Sequence, residues 1–308
     1  MIPLGDDGAQ STEEAARRFQ GLDTWPTGQI LEALWASQSR AVAACISVLP
    51  TLQRAVNAAV PRLLAGTGRL VYAGAGSAGM IAALDALELG PTFNWPEHRT
   101  AVFLAGGFDL RRGPDPAAED DAEGGRACVV DVELGANDVV LGVSASGGSA
   151  YTIAVLDEAR KRGAMTVAVT SRAESPLVRA AEYAIAVPTG AEVLAGSTRL
   201  AAGTAQKVVL NLFSTAVMVG LGFVFDNLMI EVRPENAKLR QRQTAIVASI
   251  AKVDAGHAAD ALARHGDVRR AVLGLAGLSA EEIEAALART GGNLRAALAT
   301  ITRPRGER

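Results

Sequence analysis

The stretch that most constrains this chain is residues 69–88, RLVYAGAGSAGMIAALDALE, in which an apolar strand enters a glycine turn and leaves as a helix. Gly74, Gly76 and Gly79 let the backbone turn tightly and approach a ligand, while the free N–H groups at the start of the following helix favour an anion. The spacing also fits the G-x-G-x-x-G of a dinucleotide fold, and the glycines alone do not exclude that. A second stretch, residues 138–151 (DVVLGVSASGGSAY), repeats the plan of strand, hydroxyl-rich turn and helix. Two such turns suit the several oxygens of a phosphomonoester better than a pyrophosphate crossing one turn. Ser77, Ser146 and Ser149 are therefore the phosphate candidates, with helix capping as the alternative role for each.

The rest of the chain is consistent with this plan. Short apolar runs at 69–74, 101–105, 126–130, 138–143, 165–169 and 183–187 read as strands, with helices expected near 78–88, 151–162 and 173–181. Alternation of this kind predicts an α/β fold, a three-layer α-β-α sandwich with a mainly parallel sheet. Residues 1–10 read as loose, and Thr24 or Thr27 is placed to cap a helix reaching Val48, with a second helix from Pro50. These N-terminal helices either cover the sheet or contact another subunit. A further helix is expected from near Glu235 to Val253, followed by helical patterns at 254–264, 267–275 and 279–300. Ser279 and Glu282 form a capping-box signature, and Gly291-Gly292 marks a break. The expected division is an N-terminal helical segment (1–50), a sugar-phosphate-binding domain (51–250) and a small C-terminal helical domain (251–308).

Composition narrows the function classes. With 49% hydrophobic and 20% charged residues the chain belongs among compact globular proteins. A net charge of -3 gives no support for nucleic-acid binding. Cys45 and Cys128 show no metal or redox spacing and read as reduced core residues. The most apolar run, 208–221, is short and interrupted by Asn211 and Ser214, so a buried helix is expected instead of a membrane span. A cytoplasmic protein is the resulting expectation, with no membrane partner.

Two carboxylates stand out. Glu88 lies at the end of the helix launched by the first turn, where an apolar neighbourhood would suit an acid, with surface solvation as its alternative. Glu119 lies in the acidic stretch 115–124, ordinarily a solvated loop. Ser197, Thr198, Arg199 and Lys207 put many directional groups just before and within a long helix and are candidates for a ligand or subunit contact, as is Gly76. The three histidines, His98, His257 and His265, are too scattered for a metal site, and no G-x-S-x-G elbow is present. Metal-independent sugar-phosphate chemistry without a cofactor leads.

These residues resemble the N-acetylmuramic acid 6-phosphate etherases, enzymes on the sugar isomerase (SIS) fold, from about Thr12 through the helical tail. The resemblance is carried by residues 74–79 (GAGSAG), 84–88 (LDALE) with 90–92 (GPT), 118–120 (AED), 138–140 with 145–147 (ASG), 196–200 (GSTRL) with 203–207 (GTAQK), and 227–229 (NLM). It implies a homodimer with a site completed at the interface and a role in peptidoglycan recycling. The implied reaction cleaves the ether between D-lactate and C3 of the amino-sugar phosphate. Ring opening acidifies the C2 proton, a base removes it, lactate leaves, and water adds to the unsaturated aldehyde. Glu88 matches the glutamate expected to protonate the departing lactate, and Glu119 the one expected to handle the C2 proton or water.

The chain departs from the family at basic positions. Met80 and Gly148 stand where the two turns usually carry arginine, and Ala201 where the family has lysine. Neither methionine nor glycine replaces a guanidinium fork, so altered substrate recognition is expected. Two other readings stay open: a sugar-phosphate-sensing regulatory SIS protein that does not turn its ligand over, and an aldose-ketose isomerase. A dinucleotide enzyme would leave the second hydroxyl-rich turn unexplained.

Overall fold

The computed structural model of the chain describes residues 11–301 apart from 108, 110, 112, 114 and 235. The expected loose start at 1–10 lies outside that range. Five strands, β1 (Leu70–Gly74), β2 (Thr100–Leu104), β3 (Val139–Val143), β4 (Met165–Thr170) and β5 (Tyr183–Ala186), form one parallel sheet in the order β2-β1-β3-β4-β5. Every residue of β1, β3 and β4 is buried, which explains their continuous apolar runs: helices cover both faces.

On one face lie α4 (Ala122–Asp131), α5 (Ala150–Lys161) and α6 (Pro176–Ala180). Val71, Ala73, Phe103, Val140 and Ala168 of the sheet share a core with Val129, Val155, Leu156 and Leu177 of these helices. Each fully buried valine or leucine among them stabilises by roughly 1.5–3 kcal/mol. At Gly142 an added Cβ would stand 2.8 Å from Leu156 Cγ, so α5 rides directly on β3.

The other face is crossed by α2 (Leu49–Leu64), α3 (Gly76–Phe93) and α7 (Ala201–Gly220). Here Asp85 of α3 is buried and accepts from Tyr72 Oη of β1 (2.9 Å), Asn211 Nδ2 of α7 (2.5 Å) and Ser214 Oγ of α7 (3.3 Å). One carboxylate thereby ties a strand and two helices together. At the opposite, N-terminal end of the strands, Arg69 grips Asp138 through Nε (3.0 Å) and Nη2 (2.8 Å). The Asp138 carboxylate also accepts from the main-chain N–H groups of Arg69 and Gly135, each at 2.8 Å. Burial opposes ionisation of Asp138, but the Arg69 guanidinium and the two N–H groups outweigh it and hold the carboxyl below its usual range.

Several elements differ from the sequence reading. Residues 126–130, expected as a strand, are helical within α4. Asp121 caps α4 by accepting from Gly124 N at 2.8 Å. Gly125 brings the helix so close to α5 that a Cβ would lie 2.5 Å from the Tyr151 carbonyl oxygen. Packing at Gly125 and Val129 overrides the β preference of Val129-Val130. Helix α3 does not stop at Glu88 but continues through Pro91 to Phe93. Pro91 near the helix end deprives only the Leu87 carbonyl of its i+4 donor. Neither Thr24 nor Thr27 caps α1 (Thr27–Ala44): its cap position is Pro26, with no side-chain bond. Cys45 is buried but Cys128 is only half-buried, and both are free thiols.

Residues 27–64 run as α1, a 3₁₀ turn and α2, a stretch long and apolar enough by length and composition to cross a membrane. It is nonetheless two-faced. Ala33, Ala41, Cys45, Leu52, Ala55, Ala59 and Leu63 are buried, whereas Glu32, Arg54 and Arg62 interrupt the outer side.

Contacts divide the chain into two compact units, Met1–Leu87 with His98–Thr215, and Glu88–Glu97 with Ala216–Arg308. The second holds the hairpin β6 (Val224–Phe225) and β7 (Leu228–Met229) and the helices α8 (Ala237–Ala251), α9 (Ala255–His265), α10 (Val268–Leu275), α11 (Ala280–Arg289) and α12 (Leu294–Ile301). Ile230, Ile246, Val247, Val272, Leu287 and Leu294 form its own core. Asn236 caps α8; the expected start at Glu235 lies outside the described residues. The expected helix at 279–300 is two helices, separated at Gly291 and Gly292, both in the left-handed region. Its capping box at Ser279 and Glu282 is formed.

Candidate functional site

The strand order reverses direction between β1 and β3, and in open parallel sheets ligands settle in the crevice beyond the carboxyl ends at such a point. Both glycine turns lie there. Gly74 and Val143 are register partners on adjacent strands, and Ser77 and Ser146 each follow three residues later. The two turns thus stand side by side, on strands about 4.8 Å apart.

In the first turn Gly76 has φ +55°, open to glycine without strain. Gly79 serves close packing instead: a Cβ there would lie 2.5 Å from Leu104 Cδ1 and 2.7 Å from the Gly74 carbonyl carbon. Ser77 is exposed in the opening turn of α3, and Met80 is half-buried just beyond it. In the second turn Ser144 Oγ accepts from Gly147 N and Ser146 Oγ from Gly148 N, each at 3.1 Å. Gly147 has φ +67°, and a Cβ on it would meet Ser175 Oγ at 2.3 Å. These bonds hold the turn rigid while leaving Ser146 a hydroxyl proton to donate.

Ser149 differs from its neighbours. It is buried and caps α5, accepting from Thr152 N at 3.3 Å and from Thr152 Oγ1 at 3.0 Å. Its own proton is directed to the Glu119 carbonyl oxygen at 3.4 Å. The cap alternative describes Ser149, with one addition: the hydroxyl fastens the Glu119 backbone to the second turn. Glu119 itself is exposed on the 3₁₀ turn Pro116–Asp120, which Asp115 caps by accepting from Ala117 N at 3.0 Å. Ala118 packs on the sheet core beside it. The Glu119 turn is thus anchored through its main chain to the second glycine turn, with its carboxylate exposed.

Glu88 is exposed and belongs to the other unit, about three turns beyond Ser77 along α3. Ser197 and Thr198 are half-buried and Arg199 exposed in the loop leading to α7. The start of α7 is not an open anion site, because buried Glu192 accepts from Ala201 N and Ala202 N, both at 2.9 Å. Burial raises the Glu192 pKa against the lowering effect of these two bonds. Ala201 is buried, leaving no cation at that position. Lys207 is exposed on α7, its ammonium donating to Asn211 Oδ1, whose amide in turn reaches Asp85.

Glu192 and Asp85 are buried carboxylates that hold the surrounding helices, and the sequence reading did not single them out. Asp85 had a legible signal: it falls on the same stripe as Ala82, Ala86 and Leu89, so an acid there had to be buried and partnered. Glu192 lies between buried Ala191 and Val193, a pattern too short to read in the sequence.

Comparison with known proteins adds the following. Two SIS-domain family models match overlapping stretches, one residues 39–171 and the other 132–216. An N-acetylmuramic acid 6-phosphate etherase from Deinococcus radiodurans is 41% identical over 289 residues, covering 93% of this chain and 94% of its own length. The etherase of that name from Rubrobacter xylanophilus is 41% identical over 295 residues, covering 95% and 97%. One from Streptomyces coelicolor is 41% identical over 295 residues, covering 94% and 93%.

Proposed function

Since the chain belongs to the N-acetylmuramic acid 6-phosphate etherase family, we propose that it is a carbon-oxygen lyase cleaving the D-lactyl ether of N-acetylmuramic acid 6-phosphate. The products are N-acetylglucosamine 6-phosphate and D-lactate. The observation that carries the reading is the pair of turns at the β1/β3 reversal, with the Glu119 backbone fastened to the second.

In this reading the phosphate is held by Ser77, Ser146 and the main-chain N–H groups of the two turns, with Ser149 fixing the distance from phosphate to Glu119. Ring opening gives an aldehyde whose C2 proton is acidic. Glu119 takes that proton, the C3–O bond breaks with its electrons going to lactate oxygen, and Glu88 supplies the proton to the departing lactate. Water then adds across the unsaturated aldehyde. Three turns of helix separate Glu88 from the Ser77 turn of its own chain, so Glu88 is assigned to the site of a second copy. A homodimer of this kind is supported by exposed apolar side chains on and beside α1, Leu31 at 61%, Trp35 at 75% and Ile46 at 73%. Leu31, Trp35 and Val42 line a groove of about 780 Å³ with Thr204 of α7. Ser197, Thr198, Arg199 and Lys207 are read as contacts to substrate or subunit, and the location is cytoplasmic.

The experiment is D-lactate release from N-acetylmuramic acid 6-phosphate by the purified full chain. Glu88→Gln and Glu119→Gln are expected to lower kcat by about 100-fold or more while the dimer stays folded. No lactate release from the folded wild-type protein across a substrate range refutes the assignment. Binding of the sugar phosphate without turnover would favour the sensing alternative.

A further inference from the structure

A phosphomonoester near neutral pH carries close to two negative charges, yet neither turn, 74–80 (GAGSAGM) or 144–150 (SASGGSA), contains a cation. Neutral hydroxyl and main-chain donors hold a dianion less firmly than donors that carry charge. Arg69 does not serve, since it sits at the far end of β1 and is spent on Asp138.

The carboxyl end of β4 supplies a candidate. The segment 170–177 is laid along the second turn by hydrogen bonds at successive points. Thr170 Oγ1 and Ser171 N both donate to the Ala145 carbonyl, at 3.1 and 3.0 Å, and Leu177 N donates to the Gly147 carbonyl at 3.1 Å. Arg172 lies between these points. Its main chain is fixed by Arg172 N donating to Thr170 Oγ1 at 3.2 Å, its side chain is exposed, and among the described residues it has no carboxylate partner. Among other described cations, Arg111 pairs with Asp109 and Arg126 with Glu123, and Lys207 donates to Asn211; Arg199, exposed in the loop before α7, is the competing candidate.

We propose that Arg172 is a substrate-binding residue of this site, its guanidinium supplying the positive charge for the phosphate held by the Ser146–Gly148 turn. A side chain rooted on a segment bonded to that turn can present a planar, permanently charged fork to the phosphate oxygens. The inference rests on the reading of the two turns as the phosphate site.

The test uses the full chain, N-acetylmuramic acid 6-phosphate as substrate, and inorganic phosphate as competing probe. Arg172→Gln is expected to raise KM and the phosphate inhibition constant together by roughly tenfold or more, with kcat within about threefold and an unchanged melting profile; Arg172→Lys recovers part of the loss. Gly148 offers a rescue. It is exposed, has no positive φ, and its added Cβ would meet only Ser146 Oγ at an ordinary 3.4 Å, so Gly148→Arg in the Arg172→Gln background should restore KM. Unchanged KM and phosphate inhibition in Arg172→Gln, with a wild-type enzyme that turns over and is inhibited, overturn the role of Arg172 and leave the phosphate site standing. The same holds if Arg199→Gln alone reproduces the effect. A wild-type protein neither active on the substrate nor binding phosphate overturns the site reading and the inference with it.

Discussion

Gly147→Ala is the sharpest test of how the second turn is built, because two separate penalties meet at one methyl group. The backbone there has φ +67°, and holding an alanine in the left-handed region costs roughly 1–2 kcal/mol. The methyl would also stand 2.3 Å from Ser175 Oγ, 2.4 Å from Ser175 Cβ and 3.0 Å from Thr170 Oγ1. Overpacking of a fixed interior typically adds about 1–3 kcal/mol. The sum, about 2–5 kcal/mol, is a large share of the roughly 5–15 kcal/mol that stabilises a domain. Urea denaturation at 25 °C, followed by tryptophan fluorescence and circular dichroism, reads the loss. Ser175 allows the two penalties to be separated. It occupies the cap position of α6 without making a cap bond, and its hydroxyl is unpartnered, so Ser175→Gly alone should cost only a few tenths of a kcal/mol. In the double variant the steric part should shrink to the remaining 3.0 Å approach to Thr170 Oγ1, while the backbone part, about 1–2 kcal/mol, should remain. Ser175→Ala keeps the Cβ and should relieve almost nothing. If Gly147→Ala lies within about 0.5 kcal/mol of wild type, or Ser175→Gly fails to relieve it, the turn is not built as described; that margin is the usual scatter of neutral surface changes.

Other expectations follow from the buried charges and the exposed helix. Asp138→Asn breaks the fork with Arg69, whose side chain keeps 24% exposure, so a loss near about 3 kcal/mol in urea is expected, at the low end for a buried pair. The folded pKa of Asp138 is depressed; its contribution is therefore present above the unfolded pKa near ~4 and lost as pH falls through the folded value. Asp138→Asn should flatten the urea midpoint against pH over that acid range, and an unchanged acid profile would count against the assignment. Glu192→Gln leaves one α7 N–H facing an amide that cannot accept, with an expected cost of about 1–3 kcal/mol; full stability in calorimetry would show that the cap is dispensable. Trp35→Glu puts a charge at the proposed subunit face and should weaken association by roughly 30-fold or more, visible as monomer in analytical ultracentrifugation; an undisturbed dimer mass would move the interface elsewhere.

The sheet was legible because each central strand is buried on both faces and so reads as an unbroken apolar run. The same rule misled at 126–130, where Val129-Val130 resemble a strand but Asp121 starts a helix and Gly125 lets it lie against α5. The helix expected near 78–88 runs on to Phe93, because a proline in a last turn removes only one hydrogen bond. At the site, the pairing of the two turns could be inferred from repetition in the sequence, since parallel neighbours bring repeated turns to one edge. The commitment of Ser149 to Glu119 could not, because it joins residues thirty positions apart through a main-chain carbonyl. Glu192 was hidden for a similar reason: its partners are backbone N–H groups, which leave no trace in side-chain identity.

The bond from Ser149 to the Glu119 carbonyl separates two kinds of change that the chain can undergo. In the proposed site, substitutions in Ser77 or Ser146 would alter what is recognised, whereas loss of one hydroxyl at position 149 would unmoor the Glu119 turn and leave the two glycine turns largely in place. A scaffold wired in this way is one step from becoming a receptor: it can keep its affinity for a metabolite after giving up the reaction, with no redesign of the fold.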